Sequence, residues 1–330
     1  MRRQTHQTEN VYINSCFASV GKKEAKGPLG EYFDAVYSDD LLGQQSWEMA
    51  ESTLMKNTVS GALTNAVKTP DEIDMILAGD LLNQCTASSF GLKELGIPYL
   101  GLYGACSTFA EGLCSGAMLL SGGFADTLAV VASSHFCSSQ KQYRFPLEYG
   151  EVRTPTSQWT VTGSGCAIIG REKGFAKITD VTIGKMMDLG ISDANNMGAA
   201  MAPAAADTIY AHFDETGRTP DDYDMVITGD LASVGSDILT ELLYKKGISL
   251  KNHIDCGKII FDRESQNVSS GGSGCGCIAS VFCGYFAKKL LAEDIKKILL
   301  IGTGALMSPS SVLIGETITG IAHAVAIERS

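Results

Sequence analysis

The chain has 330 residues, a formal charge of −11, 45% hydrophobic and 19% charged residues, with 36 glycines but 8 prolines. That length suits a large α/β domain or two fused halves, and the glycine-rich, proline-poor balance points to tight packing rather than disorder. The acidic balance disfavours nucleic acid and anionic membrane as partners, because no basic face offsets phosphate repulsion.

The N-terminal MRRQTHQTEN is basic but has no apolar core behind it, so it does not read as a signal peptide. No run reaches the roughly 18–20 apolar residues needed to span a bilayer, so work at a membrane would be peripheral. The first helix is predicted over Trp47–Leu63, followed by strands at Ile73–Ala78 and Pro98–Leu102. A helix led by Cys106 covers Ser107–Leu120, and a strand follows at Thr127–Ala132. Further on come a helix at Ala204–Asp214, a strand at Met225–Thr228, helices at Ile238–Lys246 and Cys277–Leu291, and a strand at Lys297–Ile301. The strands carry little polar alternation, as befits strands covered on both faces. The small-residue segment Met197–Thr208 reads as packing under a cavity or at a subunit contact.

A repeat organises these elements. TPDEIDMILAGDL at Thr69–Leu81 matches TPDDYDMVITGDL at Thr219–Leu231 in 8 of 13 positions, 150 residues apart. Cys106 precedes Cys114 by eight residues, and Cys275 precedes Cys283 by the same spacing. The expected fold is α/β, with two pseudo-twofold-related halves, 1–172 and 173–330, stacked as a five-layered α-β-α-β-α sandwich. The two Cys-led helices, rich in small residues, should cross at its centre. The ten cysteines lie in apolar segments and Gly-rich turns, which reads as reduced thiols. Cys275 and Cys277 lack a second ligand pair at zinc spacing, so no metal and no cofactor is expected.

Cys106, on a Gly-Ala-Cys turn before a helix, has the placement of an activated thiol, since free N–H groups and the helix dipole favour a thiolate. The alternative is a small buried cysteine at a crowded helix start. Asp80 and Asp230, from the repeated Gly-Asp-Leu turns, should approach the centre and hold loops by accepting backbone N–H bonds. Two isolated carboxylates fall short of a calcium shell.

Ten segments in order, GPLGEYFD, QQSWEMAE, AGDLLNQ, YGACST, SSHF, TVTGSGCAII, MGAAMAPAAADTI, TGDLASVGSDIL, GGSGCGC and TGALMSP, resemble the stage V sporulation protein AD family, a branch of the thiolase and ketoacyl synthase superfamily. The resemblance runs from about Asn14 to Glu328. It implies a thiolase-like fold and, for function, non-catalytic binding of dipicolinic acid (pyridine-2,6-dicarboxylate), alone or as its calcium chelate. The binder would be the soluble subunit of a spore-membrane transport assembly used in sporulation and germination. The implied partners are the membrane-embedded subunits of that assembly and a second copy of the chain. The implied location is the cytoplasm at synthesis and then the face of the spore inner membrane.

In the superfamily's condensing enzymes a second-half histidine follows the Gly-Asp-Leu strand; here Thr228–Asp237 holds none, and Asp230 stands near its place. Of the histidines, His6 falls in the tail, His212 on an apparent surface helix, His253 after a polar turn and His323 in a C-terminal strand. Only His135 is placed to approach the pocket. The alternative function is an acyl-thioester enzyme using Cys106. The ligand set expected for the dianion is Cys106, Ser107, His135, Arg144, Asp230, Gly272, Ser273 and Asp80. Backbone and hydroxyl donors come from the Cys106–Thr108 helix start and the Ser269–Gly276 turn. Arg144 is the preferred cation, because a guanidinium pairs bidentately with carboxylate; the alternative is a solvated loop whose arginines pair with Glu148 and Glu151.

Overall fold

The computed structural model describes residues 3–144 and 153–330; Glu148 and Glu151 lie outside them. Ten strands carry the architecture. In the first half they are β1 (Tyr12–Gly21), β2 (Met75–Gly79), β3 (Tyr99–Gly101), β4 (Thr127–Ser134) and β5 (Gly163–Gly170). In the second they are β6 (Ala176–Ile183), β7 (Met225–Thr228), β8 (His253–Asp255), β9 (Lys297–Leu306) and β10 (Thr319–Arg329). The first five lie in the order β3-β2-β4-β5-β1 and the second five in the order β8-β7-β9-β10-β6. In each set the first three are parallel and the last two antiparallel additions. The sets join where β1 meets β6 antiparallel, Tyr12 against Lys177 and Ile13 against Ala176.

The sequence repeat has a physical cause. Thr69 and Thr219 each open a one-turn helix closed by a capping box, with their N–H groups donating 2.7 Å to Glu72 and Asp222. Asp74 then accepts the N–H groups of Asp126 and Thr127, and Asp224 those of Lys296 and Lys297, all within 2.9 Å. Each carboxylate thereby pins the turn entering the neighbouring strand. The register is the same in both halves: Met75 faces Leu128, and Met225 faces Ile298.

The layers follow from which faces are apolar. Helix α1 (Trp47–Ala66) covers the outer face of β1, β4 and β5, and helices α3 (Met197–Thr216) and α4 (Ala232–Lys245) cover the second set. Between the sets lie α2 (Thr108–Ser121) and α5, which runs from Cys275 to Val281 and on through a π-helical turn, Phe282–Phe286, to Leu291. The two inner helices meet with Phe109 and Phe282 ring centroids 5.8 Å apart. β4 and β5 are buried along their whole length, as expected of strands covered on both sides.

Three helices begin earlier than the sequence pattern predicts. α3 starts at Met197 and carries Pro203 inside; residue 199, four positions back, is an alanine, in a stretch of small residues. α4 starts at Ala232 because Asp255 accepts the N–H groups of Leu231 and Ala232 at 2.9 Å each. α5 starts at Cys275, directly after Gly274, whose φ of +102° suits only glycine. His212, expected at the surface, is fully buried: its ring bonds Thr182 Oγ1 at 2.9 Å and Tyr223 Oη at 2.6 Å. The face of α3 that carries it packs under β6 and Tyr223. His323 is in the core, with Nδ1 accepting the Gly184 N–H at 3.3 Å. All ten cysteines are free thiols, and among the described residues no group of side chains is arranged to hold a metal ion.

Inner helix and sheet touch backbone to backbone. A Cβ on Gly165 would stand 2.0 Å from the Ala279 carbonyl oxygen. Gly165→Ala should therefore force β5 and α5 apart and destabilise the fold by about 2–3 kcal/mol, read as a lower denaturant midpoint at unchanged slope.

Candidate functional site

Cys106 sits on a strained elbow. Ala105 has φ +50°, which an L-residue rarely adopts. The turn is braced from within: Ser107 N–H and Oγ donate to the Gly104 carbonyl at 3.0 and 2.7 Å, and Thr108 Oγ1 donates to the Ala105 carbonyl while accepting the Gly104 N–H. These groups, expected to face a ligand, instead hold the elbow. The Cys106 thiol is buried and lies 3.8 Å from Ser273 Oγ of the opposite half.

Ser273 ends a short strand, Gly271–Ser273, paired in parallel with Gln158–Thr160. Its hydroxyl donates to Asp230 Oδ2 at 3.1 Å, and the Gly274 N–H donates to the same oxygen at 2.8 Å. Thr303 of β9 donates to Asp230 Oδ1 at 2.9 Å. Gln158 Nε2 donates to the carbonyls of Asp230 and Gly272 at 2.5 and 3.2 Å, closing the corner from behind. The Gly276 N–H is taken by Ser134 Oγ at 3.1 Å. The donor corner predicted from the glycine-rich turn thus exists, and a carboxylate of the protein itself occupies it.

The electrostatics follow from that occupant. Burial pushes the Asp230 carboxyl up to about 6, against the pull of its hydrogen bonds. The Cys106 thiol is pushed well above the ordinary cysteine range, first by burial and then by the Asp230 charge and its hydrogen bond to Asp230. The expectation that the helix start favours a thiolate is overturned: half a positive charge at a helix end does not offset burial beside a carboxylate.

The structure brings Cys106, Asp230, Gly272 and Ser273 together, with Ser107 directly behind. Asp80 and His135 go elsewhere. Asp80 stays in its own half, accepting from Leu82 N–H at 2.9 Å and from Ser88 N–H and Oγ at 2.7 Å each. His135 turns its ring away: Nε2–H donates to the Asp40 carbonyl at 2.8 Å, and Nδ1 accepts the Cys137 N–H, capping a short helix. Burial lowers its basicity. Arg144, at the end of that helix, reaches Asn195 at 3.1 Å.

Sequence reasoning missed Thr303, Tyr103, Tyr143 and Glu51. Tyr103, 43% exposed, lies near Cys106, and its hydroxyl lies 3.3 Å from that of Tyr143, which donates to the Leu81 carbonyl at 2.9 Å. Only its position just before Gly104 hinted at this. Glu51, within α1, is bound by Ser133 and Ser138 at 3.0 and 2.7 Å and is pushed up to about 8 by burial and then by the Asp80 charge. Nothing in the sequence distinguishes it from an exposed helical glutamate.

A thiol so placed should alkylate slowly. With iodoacetamide at pH 8, Cys106 is expected to react at least tenfold more slowly than a cysteine in an unstructured peptide. Asp230→Asn, by removing the adjacent negative charge, should raise that rate. Peptide mass spectrometry of timed samples gives both numbers.

The chain matches the family model described as stage V sporulation protein AD over residues 2–328. Stage V sporulation protein AD of Bacillus subtilis (strain 168) is 44% identical over 321 residues, 97% of this chain and 95% of that protein. Among solved structures, 3-oxoacyl-(acyl-carrier-protein) synthase III from Aquifex aeolicus VF5 superposes with a TM-score of 0.58 at 15% identity, covering 96% of this chain and 99% of that one. Cerulenin-bound OleA of Xanthomonas campestris gives 0.63 at 15% identity, covering 100% of both chains. At that identity the likeness concerns architecture: the fold is thiolase-like. By the match along its length and the identity to its Bacillus relative, the chain belongs to the stage V sporulation protein AD family.

Proposed function

We propose that this protein binds dipicolinate without turning it over, where Cys106 of one half meets Ser273 of the other, approached past Tyr103 and Tyr143. The observation that carries the non-catalytic part is the carboxylate of Asp230 facing the thiol. Thioester exchange needs a thiolate, a neutral proton carrier and a vacant oxyanion corner. Here the thiol is held protonated and the corner is taken by Asp230; the ring of His135 is turned to Asp40 and that of His212 to Tyr223. The tyrosine pair offers a flat aromatic ligand an apolar wall. Calcium carried with it would be held by the ligand's own carboxylates and ring nitrogen.

In this reading the protein serves a spore-membrane assembly that moves dipicolinate and docks there on membrane-embedded subunits; among the described residues no helix is long and apolar enough to cross a membrane. The thiolase-like architecture and the strained elbow at Ala105 favour the second reading, an acyl-thioester enzyme. Incubation with acetyl-CoA separates the two: no mass increase on Cys106 is expected, and an acetyl adduct lost in Cys106→Ser would establish the enzyme.

Titration calorimetry tests the ligand. Dipicolinate should bind, pyridine-3,5-dicarboxylate should bind at least tenfold more weakly, and Tyr103→Ala should weaken dipicolinate by roughly threefold to tenfold. Equal binding of both isomers, or of neither, would remove dipicolinate as the ligand.

We also infer a homodimer. β3 pairs with β2 on one side and, among the described residues, with no strand on the other, and it is exposed along its length, carrying Leu100 at 46%. Such an edge invites a second strand. Analytical ultracentrifugation should give a dimer for the wild type and a monomer for Leu100→Asp; a monomeric wild type would refute it.

A further inference from the structure

A ligand carboxylate and the carboxylate of Asp230 compete for one corner. Asp230 is 1% exposed, and the groups that donate to its side chain, Gly274 N–H, Ser273 Oγ, Thr303 Oγ1 and the Cys106 thiol, are all neutral. The titratable groups that face it are Cys106, Cys256, Cys275, Cys277 and Asp255. None of these is a cation, and Asp255 adds negative charge of its own. Beyond Cys275 stand Asp80 and Glu51, again acidic. A second carboxylate brought against Cys106 and Ser273 therefore meets a like charge in a buried setting, and among the described residues that face Asp230 there is no positive side chain.

We infer that Asp230 sets the ionic form in which this site accepts its ligand: a carboxylate enters together with one proton, which Asp230 takes up. This rests on the dicarboxylate reading given above. The balance is simple. The proton comes from solvent, converts the Asp230 carboxylate to a carboxylic acid and leaves again on release; no bond to carbon forms or breaks. The protonated side chain still accepts from Thr303 or Ser273 through one oxygen, and its O–H becomes a donor to the ligand. Two carboxyl groups then share one proton instead of repelling. Because burial already lifts Asp230 to about 6, the required form is accessible near neutral pH.

The sign of the pH dependence follows. Ordinary carboxylates on the ligand are ionised throughout the range above about pH 6. Half of Asp230 is protonated at pH 6 and about one part in a hundred at pH 8, so apparent affinity falls as pH rises, about fifty-fold over those two units. Calorimetry on the full chain with dipicolinate at pH 6, 7 and 8, in phosphate and in Tris, measures both the Kd and the protons taken up. The wild type should weaken about fifty-fold from pH 6 to 8 and take up about one proton per ligand at pH 8. Asp230→Asn should change less than threefold, take up none, and bind more tightly than wild type at pH 8. A wild-type Kd that is flat with pH, without proton uptake, overturns the inference, as does unchanged proton uptake in a folded Asp230→Asn. Should that variant fail to melt cooperatively, the wild-type buffer pair decides alone. No wild-type binding at pH 6 overturns the dicarboxylate reading itself and this inference with it.

Discussion

Where β9 passes beneath the elbow, a Cβ on Gly304 would stand 2.3 Å from the Gly104 carbonyl oxygen, and one on Gly302 would stand 2.5 Å from the Ala110 Cβ. Where α5 crosses β5, Gly165 meets Ala279 just as closely, and Gly276 lies against the Gly163 carbonyl. Both inner helices are held between the two strand sets at backbone contact distance, and everything at the centre depends on that spacing. It brings Cys106, from the first half, within reach of Ser273, from the second, and it sets Thr303 beside the Asp230 turn. Interiors packed at this density do not relax to admit even a methyl group, so the placement of the site follows from steric exclusion more than from any single polar bond.

The two halves share a framework but diverge at their equivalent aspartates. Asp74 and Asp224 do the same work, each pinning the turn into the adjacent strand. Asp80 and Asp230 do not. In the first half the residues after Gly-Asp-Leu supply Leu82 N–H and Ser88, so Asp80 is satisfied locally. In the second half Ala232, the counterpart of Leu82, gives its N–H to Asp255, as does Leu231, and Ile238 stands in the place of Ser88. Asp230 is left without local donors and turns to Ser273, Gly274 and Thr303. One added capping carboxylate at position 255 thus redirects another into the site, and that redirection gives the thiol an acidic neighbour.

The framework was legible because repetition and apolar runs report backbone needs directly. The repeat at Thr69 and Thr219 encodes a capping box and a latch, and β7 came out with the bounds read from its apolar run. The starts of α3 and α4 were not legible, because Pro203 looks like a first-turn proline and because the cap of α4 comes from Asp255, more than twenty residues away. At the site, the reading found Cys106, Ser273 and Asp230 but misjudged what the donors do. The hydroxyls of Ser107 and Thr108 and the N–H of Gly274 look like ligand donors in sequence; in space each already has a protein acceptor. His135 failed for a related reason: adjacency to the right strand end does not fix which way a side chain turns.

The elbow itself needs no catalytic explanation. A left-handed alanine costs about 1–3 kcal/mol and persists only where its surroundings over-determine it. Here they do: Ser107, Thr108 and Gly104 close the turn on itself, and Gly304 passes too near for the chain to take another course. Releasing Ala105 would require moving β9, and with it Thr303 and the Asp230 corner. The geometry at Cys106 therefore follows from packing, with the thiol held neutral by burial. The centre is also open to proton exchange, because several of its buried acidic groups lie shifted toward neutral pH and are held by neutral donors rather than by cations. A buried carboxylate with a cation beside it resists protonation, whereas one held only by hydroxyl and amide donors changes charge readily when a second anion approaches.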